Sequence, residues 1–104
     1  MSKQANPQAI DKLIEVMADL RHPDTGCPWD IEQTHESLVT NMIEEAYEAV
    51  DAIRIGDAAL MREELGDLLL QVVMHARIGS ETDKFNLDSI AMTPETQNTK
   101  QMEI

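Results

Sequence analysis

Two long runs of helical periodicity in this 104-residue chain are separated by only two residues, Gly56 and Asp57. Glycine readily adopts the left-handed conformation that ends a helix, and an aspartate side chain caps the first free amides of the next one. A join this short leaves the second helix one course, back along the first, so an antiparallel helical hairpin is required. Before the break, Leu38, Val39, Met42, Ile43, Ala46, Ala49, Val50 and Ile53 share one face and predict a helix over about 34–55. After it the pattern predicts a second helix over about 58–78, ended by Gly79.

The remaining segments are shorter. Asn6 and Pro7 read as cap and first helical residue, and Ile10, Leu13, Ile14, Met17 and Leu20 predict an amphipathic helix over about 7–20. RHPDTGCPWDIEQ (21–33) contains Pro23, Gly26 and Pro28 and reads as an irregular loop. DKFNLDSIAM (83–92) suits a short helix capped by Asn86 and stopped by Pro94, whereas the polar residues that follow lack a periodic face. No segment alternates with period two. The expectation is one all-α domain over 1–92, a helical bundle built around the antiparallel pair, with a disordered tail at 93–104.

Charge narrows the partners. Twenty acids against eight Lys and Arg give a formal net charge of −12, which repels nucleic acid backbones and anionic membranes. Direct nucleic acid binding is therefore not expected, and a polyphosphate would need a cation to approach. No apolar run nears the roughly 18 residues of a membrane span, and MSKQANPQAI lacks a signal-like apolar core. Cys27 is the only cysteine, so no internal disulfide forms, and the expected compartment is the cytoplasm.

The acids repeat a device. At about 100° per residue, with Glu45 at zero, the apolar stripe of the first hairpin helix covers roughly 20° to 160°, and Glu48 lies about 60° outside Glu45. With Glu64 at zero in the second helix, Leu68, Met61, Val72, Leu65 and Leu69 cover roughly 40° to 140°, and Asp67 falls about 60° outside Glu64. EEAYEAV and EELGDLL thus match, nineteen residues apart. Packed antiparallel, they bring Glu45, Glu48, Glu64 and Asp67 towards one point. Partly buried carboxylates cannot all remain ionised there without a counterion, and oxygen-only donors favour a hard ion such as Mg²⁺ or Mn²⁺. The second helix also carries Leu60, Leu70, Met74 and Ile78 on its opposite edge, which calls for a further helix or chain to cover it. Gly66, in mid-helix, fits close approach by a neighbour or simple drift.

LRHPDTGCPWDIEQTHESL (20–38), EEAYEAVDAI (44–53) and EELGDLLLQVVMHARIG (63–79) together resemble the MazG family of nucleoside triphosphate pyrophosphohydrolases over about residues 10–90. The resemblance implies an all-α dimer or tetramer of helical bundles that uses Mg²⁺ to split NTPs or dNTPs into monophosphate and pyrophosphate. By position it places metal ligands at Glu45, Glu48, Glu64 and Asp67. Glu44, ahead of Glu63, becomes the candidate base that holds the attacking water. Trp29 is a candidate to stack on the nucleobase or to plug the bundle. His35 is a candidate nucleotide contact or a core histidine, and His75, about 20° from Glu64 on the wheel, a support for the metal site or a packing residue. Family domains usually continue into a basic helix, which is missing here, so phosphate contacts fall to Arg77, Arg54, Arg62, Lys84, a second subunit or the metal. Two other classes compete. A di-iron bundle wants Glu-x-x-His pairs, of which only Glu32–His35 is present, across a helix start. A non-catalytic nucleotide- or partner-binding module fits the missing basic stretch.

Overall fold

A computed structural model describes residues 7–94, so the Asn6 cap and the tail from 95 onward lie outside the described residues. Among the described residues five α-helices follow in order: α1 (Pro7–Leu20), α2 (Pro28–Glu32), α3 (Val39–Ile55), α4 (Ala58–Glu81) and α5 (Leu87–Ala91), with a 3₁₀ turn at Glu36–Leu38 before α3. The described residues contain no strand, and none of their helices is long and apolar enough to cross a membrane.

The hairpin forms as its two-residue join requires. Gly56 is left-handed (φ 81°) and its N–H returns to the Ala52 carbonyl. Asp57 Oδ1 accepts from the amides of Ala59 and Leu60 at 3.0 and 3.3 Å. Asn86 likewise caps α5 in a reciprocal box with Ser89, each bond 2.9 Å. Elsewhere the boundaries move. The loop expected at 21–33 encloses α2, which starts on Pro28 because a ring-fixed φ suits a first helical residue. The helix expected from 34 becomes α-helical only at Val39. Before it, Thr34 and Ser37 exchange side-chain-to-amide hydrogen bonds (2.9 and 3.1 Å), a local alternative to the helix ladder.

α4 runs straight through Gly79 to Glu81. Gly79 is buried rather than terminal, and a Cβ there would press into the ring of Phe85, which lies over it. Gly79→Ala is expected to cost about 1–3 kcal/mol through this overpacking, read as a lower denaturant midpoint with unchanged m-value. Gly66 has the reverse character. Nothing lies within 4 Å of where its Cβ would be, so close approach within the chain is not its reason.

Met17 of α1, Leu38 of the 3₁₀ turn, and Val73, Met74 and Ile78 of α4 form the buried core. The opposite edge of α4 is therefore covered at Met74 and Ile78, by α1 rather than by another chain. Leu65, Leu69 and Leu70 stay exposed. Arg21 locks the arrangement. Its side chain, 8% exposed, donates to Glu81 Oε2 and Oε1 (2.9 and 2.8 Å) and to the Asp30 and Gln33 carbonyls (2.6 and 3.0 Å).

The two hairpin helices do not face one another as the apolar stripe alone predicts. The residues α3 buries are Ala49 and Ala52, while Val39, Ile43, Val50 and Ile53, the far half of the stripe, stay exposed. On the wheel Ala49 and Ala52 lie about 40° and 340° from Glu45, so the buried meridian runs through Glu45 itself. Small side chains at a contact let two helices approach closely, and here they carry the acid edge inward with them.

Candidate metal centre

Glu45 and Glu48 project from α3, and Glu64 from α4, so that one carboxylate oxygen of each lies within 4.8 Å of the other two. Glu45 and Glu64 are half-buried and Glu48 is exposed. Glu45 Oε2 and Glu64 Oε1 are shielded from solvent and accept no hydrogen bond. Both carboxyls are pushed above the ordinary glutamate range. For Glu45 the causes are burial first, then the charges of Glu48 and Asp67. For Glu64 they are burial first, then a hydrogen bond with Glu48 and the charges of Glu48, Asp67 and Glu45. Asp67 stands outside the triad but its charge bears on two of its members. The sequence expectation of four acids about one point is thus three converging and one adjacent.

This donor set fits a hard divalent cation. It offers only carboxylate oxygens, two of them buried without a donor, and a cation would relieve both the orphaned lone pairs and the mutual repulsion. Glu44 and Glu63 are exposed beside the triad.

The other expected site residues lie further along the molecule. His75 is on the Glu64 edge of α4 but eleven residues on, about 16 Å along the axis. It cannot support the carboxylates and instead pairs with His35, Nδ1 to Nδ1 at 2.7 Å. The two rings are within 5° of parallel with centroids 5.0 Å apart. A contact that short between parallel rings places them edge to edge in one plane. Phe85 packs on His35 with centroids 5.7 Å apart. Trp29 is 52% exposed and does not plug the bundle. Arg77 is about 20 Å along α4 from Glu64 and holds Glu81 at 3.1 Å, so the fold does not bring it to the carboxylates.

An Nδ1–Nδ1 bond requires that one ring donate and the other accept, so it is lost only when both Nδ1 atoms carry a proton. Burial, then the charge of His35, holds His75 below the ordinary histidine value. The unfolded chain therefore binds more protons at His75 than the native one, and stability rises with pH across this window. The contribution is complete above about pH 6.5 and is lost as pH falls below that value. Urea midpoints taken between about pH 7.5 and 5.5 are expected to fall, and His75→Gln to flatten that slope. Equal slopes for both proteins would contradict it.

A helical hairpin whose facing edges gather carboxylates on one point defines an all-α domain with a candidate site for a hard cation. The chain belongs to the MazG nucleotide pyrophosphohydrolase domain family, whose model matches residues 33–95. It is 47% identical over 84 residues to the nucleoside triphosphate pyrophosphohydrolase/pyrophosphatase MazG of Thermotoga maritima, covering 81% of this chain and 32% of that protein. It is 46% identical over 81 residues to the nucleoside triphosphate pyrophosphohydrolase of Escherichia coli K12, covering 78% and 31%. An uncharacterized protein of Bacillus subtilis, YabN, is 51% identical over 75 residues, 72% of this chain and 15% of its own. The chain spans about a third of the length of the first two of these relatives.

Proposed function

We propose that this domain hydrolyses nucleoside triphosphates, ribo or deoxy, to the monophosphate and pyrophosphate, with Mg²⁺ or Mn²⁺ held by Glu45, Glu48, Glu64 and Asp67. The observation that carries the reading is the convergence of three carboxylates with two buried, undonated oxygens. The names of the relatives support the substrate class. A bound divalent cation supplies charge neutralisation and Lewis acidity at the phosphates. The protein's own residues hold and orient the rest. Glu44, exposed one residue before the triad, is the proposed base that orders the attacking water and accepts its proton. Trp29 and His35 are the proposed contacts for the nucleoside end. Exposed Ile43, Tyr47, Val50, Leu65 and Leu69 form the surface proposed to close a homodimer or homotetramer.

Purified protein incubated with a panel of NTPs and dNTPs plus Mg²⁺ is expected to release pyrophosphate and nucleoside monophosphate. Orthophosphate as first product would move the cleavage position, and no product with any substrate would remove the enzymatic reading. Light scattering tests the assembly: a clean monomer contradicts it.

A further inference from the structure

A third buried oxygen without a hydrogen-bond donor belongs to a neutral side chain, Gln71. Gln71 lies four residues beyond Asp67 and seven beyond Glu64 on α4. That is about 6 Å along the axis from Asp67, and within about 20° of Glu64 around it. It therefore continues the row of metal-site carboxylates by one turn, away from the hairpin join. The antiparallel register that sets Glu48 against Glu64, carried two turns further, places Asn41 of α3 at the level of Gln71. In the other direction, the same register sets Asp51 and Met61, an acid and a thioether, at one level of the hairpin. By this register the side chains next to the carboxylates on the Gln71 side are uncharged hydrogen-bonding groups.

A buried amide oxygen left unpaired is unfavourable, and the cost is recovered when a ligand supplies the donor. The chemistry of that ligand is restricted. A phosphate oxyanion cannot serve, because both groups would be acceptors. A sugar hydroxyl or a base N–H can. If the cation anchors the triphosphate at Glu45, Glu48 and Glu64, Gln71 lies one turn beyond Asp67 and two beyond Glu64, about 6–10 Å along the axis, the span that separates the phosphates from the nucleoside. Resting on the proposed function above, we infer that Gln71 is a specificity-determining residue: its Oε1 accepts a hydrogen bond from an N–H or O–H of the nucleoside. It fixes the direction in which the nucleotide lies, with phosphates towards the hairpin join and nucleoside towards the His35 end.

The test uses the full chain with Gln71→Met, an apolar near-isostere, and reads binding rather than turnover. Titration calorimetry would measure affinities for α,β-methylene analogues of a ribo- and a deoxynucleoside triphosphate with Mg²⁺, for inorganic tripolyphosphate with Mg²⁺, and for Mg²⁺ alone. The substitution is expected to weaken the nucleotide analogues about tenfold and to leave tripolyphosphate and Mg²⁺ within about twofold. Because it also removes an orphaned polar group, the ligand-free variant is expected to melt a few degrees above wild type. A weakening confined to the ribo analogue assigns the 2′-hydroxyl as donor, and one common to both assigns the base or the 3′-hydroxyl. Unchanged nucleotide affinity, or an equal loss for tripolyphosphate or Mg²⁺, overturns the inference while leaving the pyrophosphohydrolase reading intact. Wild-type protein that binds no nucleotide analogue overturns both.

Discussion

Glu48→Gln is expected to lower pyrophosphate release about a thousandfold, the scale on which removing one group that supports transition-state charge is felt. Glu48 is exposed, so an amide of the same shape leaves packing untouched. Yet its oxygen is one of the three that converge, and its charge is felt by both Glu45 and Glu64. Two readouts should therefore move in opposite directions. Turnover collapses, while the ligand-free protein becomes more stable, because a like charge is removed from the pair whose carboxyls burial and repulsion already push upward. Added Mg²⁺ is expected to raise the melting temperature of wild type strongly and of the variant weakly. A variant that keeps even a tenth of wild-type turnover would show that the triad does not hold the catalytic cation.

Arg21→Met is expected to destabilise the fold by about 3 kcal/mol, because the arginine is almost fully shielded and its removal strands several partners at once. The carbonyls of Asp30 and Gln33 lose their donor, and Glu81 keeps only the half-exposed Arg77. Arg21 also holds the Glu81 carboxyl below the ordinary range, through its hydrogen bond first and its charge second. A depressed carboxyl lends stability that is present above its unfolded value of about 4.3 and lost as pH falls through the folded one, so the variant should lose part of the wild type's acid sensitivity. Urea denaturation measures both effects. Below its melting range the variant should keep wild-type kcat, since Arg21 contacts Glu81 but none of the three converging glutamates. A loss under about 1 kcal/mol would reduce the contact to an ordinary surface ion pair.

What could be read from the sequence was what is local. The Gly56–Asp57 join, the Asn86 cap and the matched acid pairs each depend on residues within a turn or two of one another. The rotation of α3 was not readable, because a helical wheel shows which face is apolar but not which part a neighbour covers. Ala49 and Ala52 won the contact over the larger Ile43 and Val50, and that is why Glu45 is partly buried. α2 is too short for periodicity to reveal, and only Pro28 at its start gave a local hint. The Arg21–Glu81 contact joins residues 60 apart, a distance over which no spacing rule operates. Gln71 was legible in principle. It occupies the Glu64 edge of the wheel within LLLQVVM, but a lone glutamine in an apolar run reads as an imperfection until its oxygen is seen to be buried without a donor.

The carboxylate triad draws on two helices joined by two residues, and α1, α2 and α5 supply none of its members. The carboxylate cluster is thus portable. The hairpin brings its own acids into register through its own turn and its own small-residue contact, whatever is attached at either end. A device assembled this locally can be carried by chains of very different length. The match fits that property: most of this chain aligns with only 15% to 32% of the Thermotoga, Escherichia and Bacillus proteins.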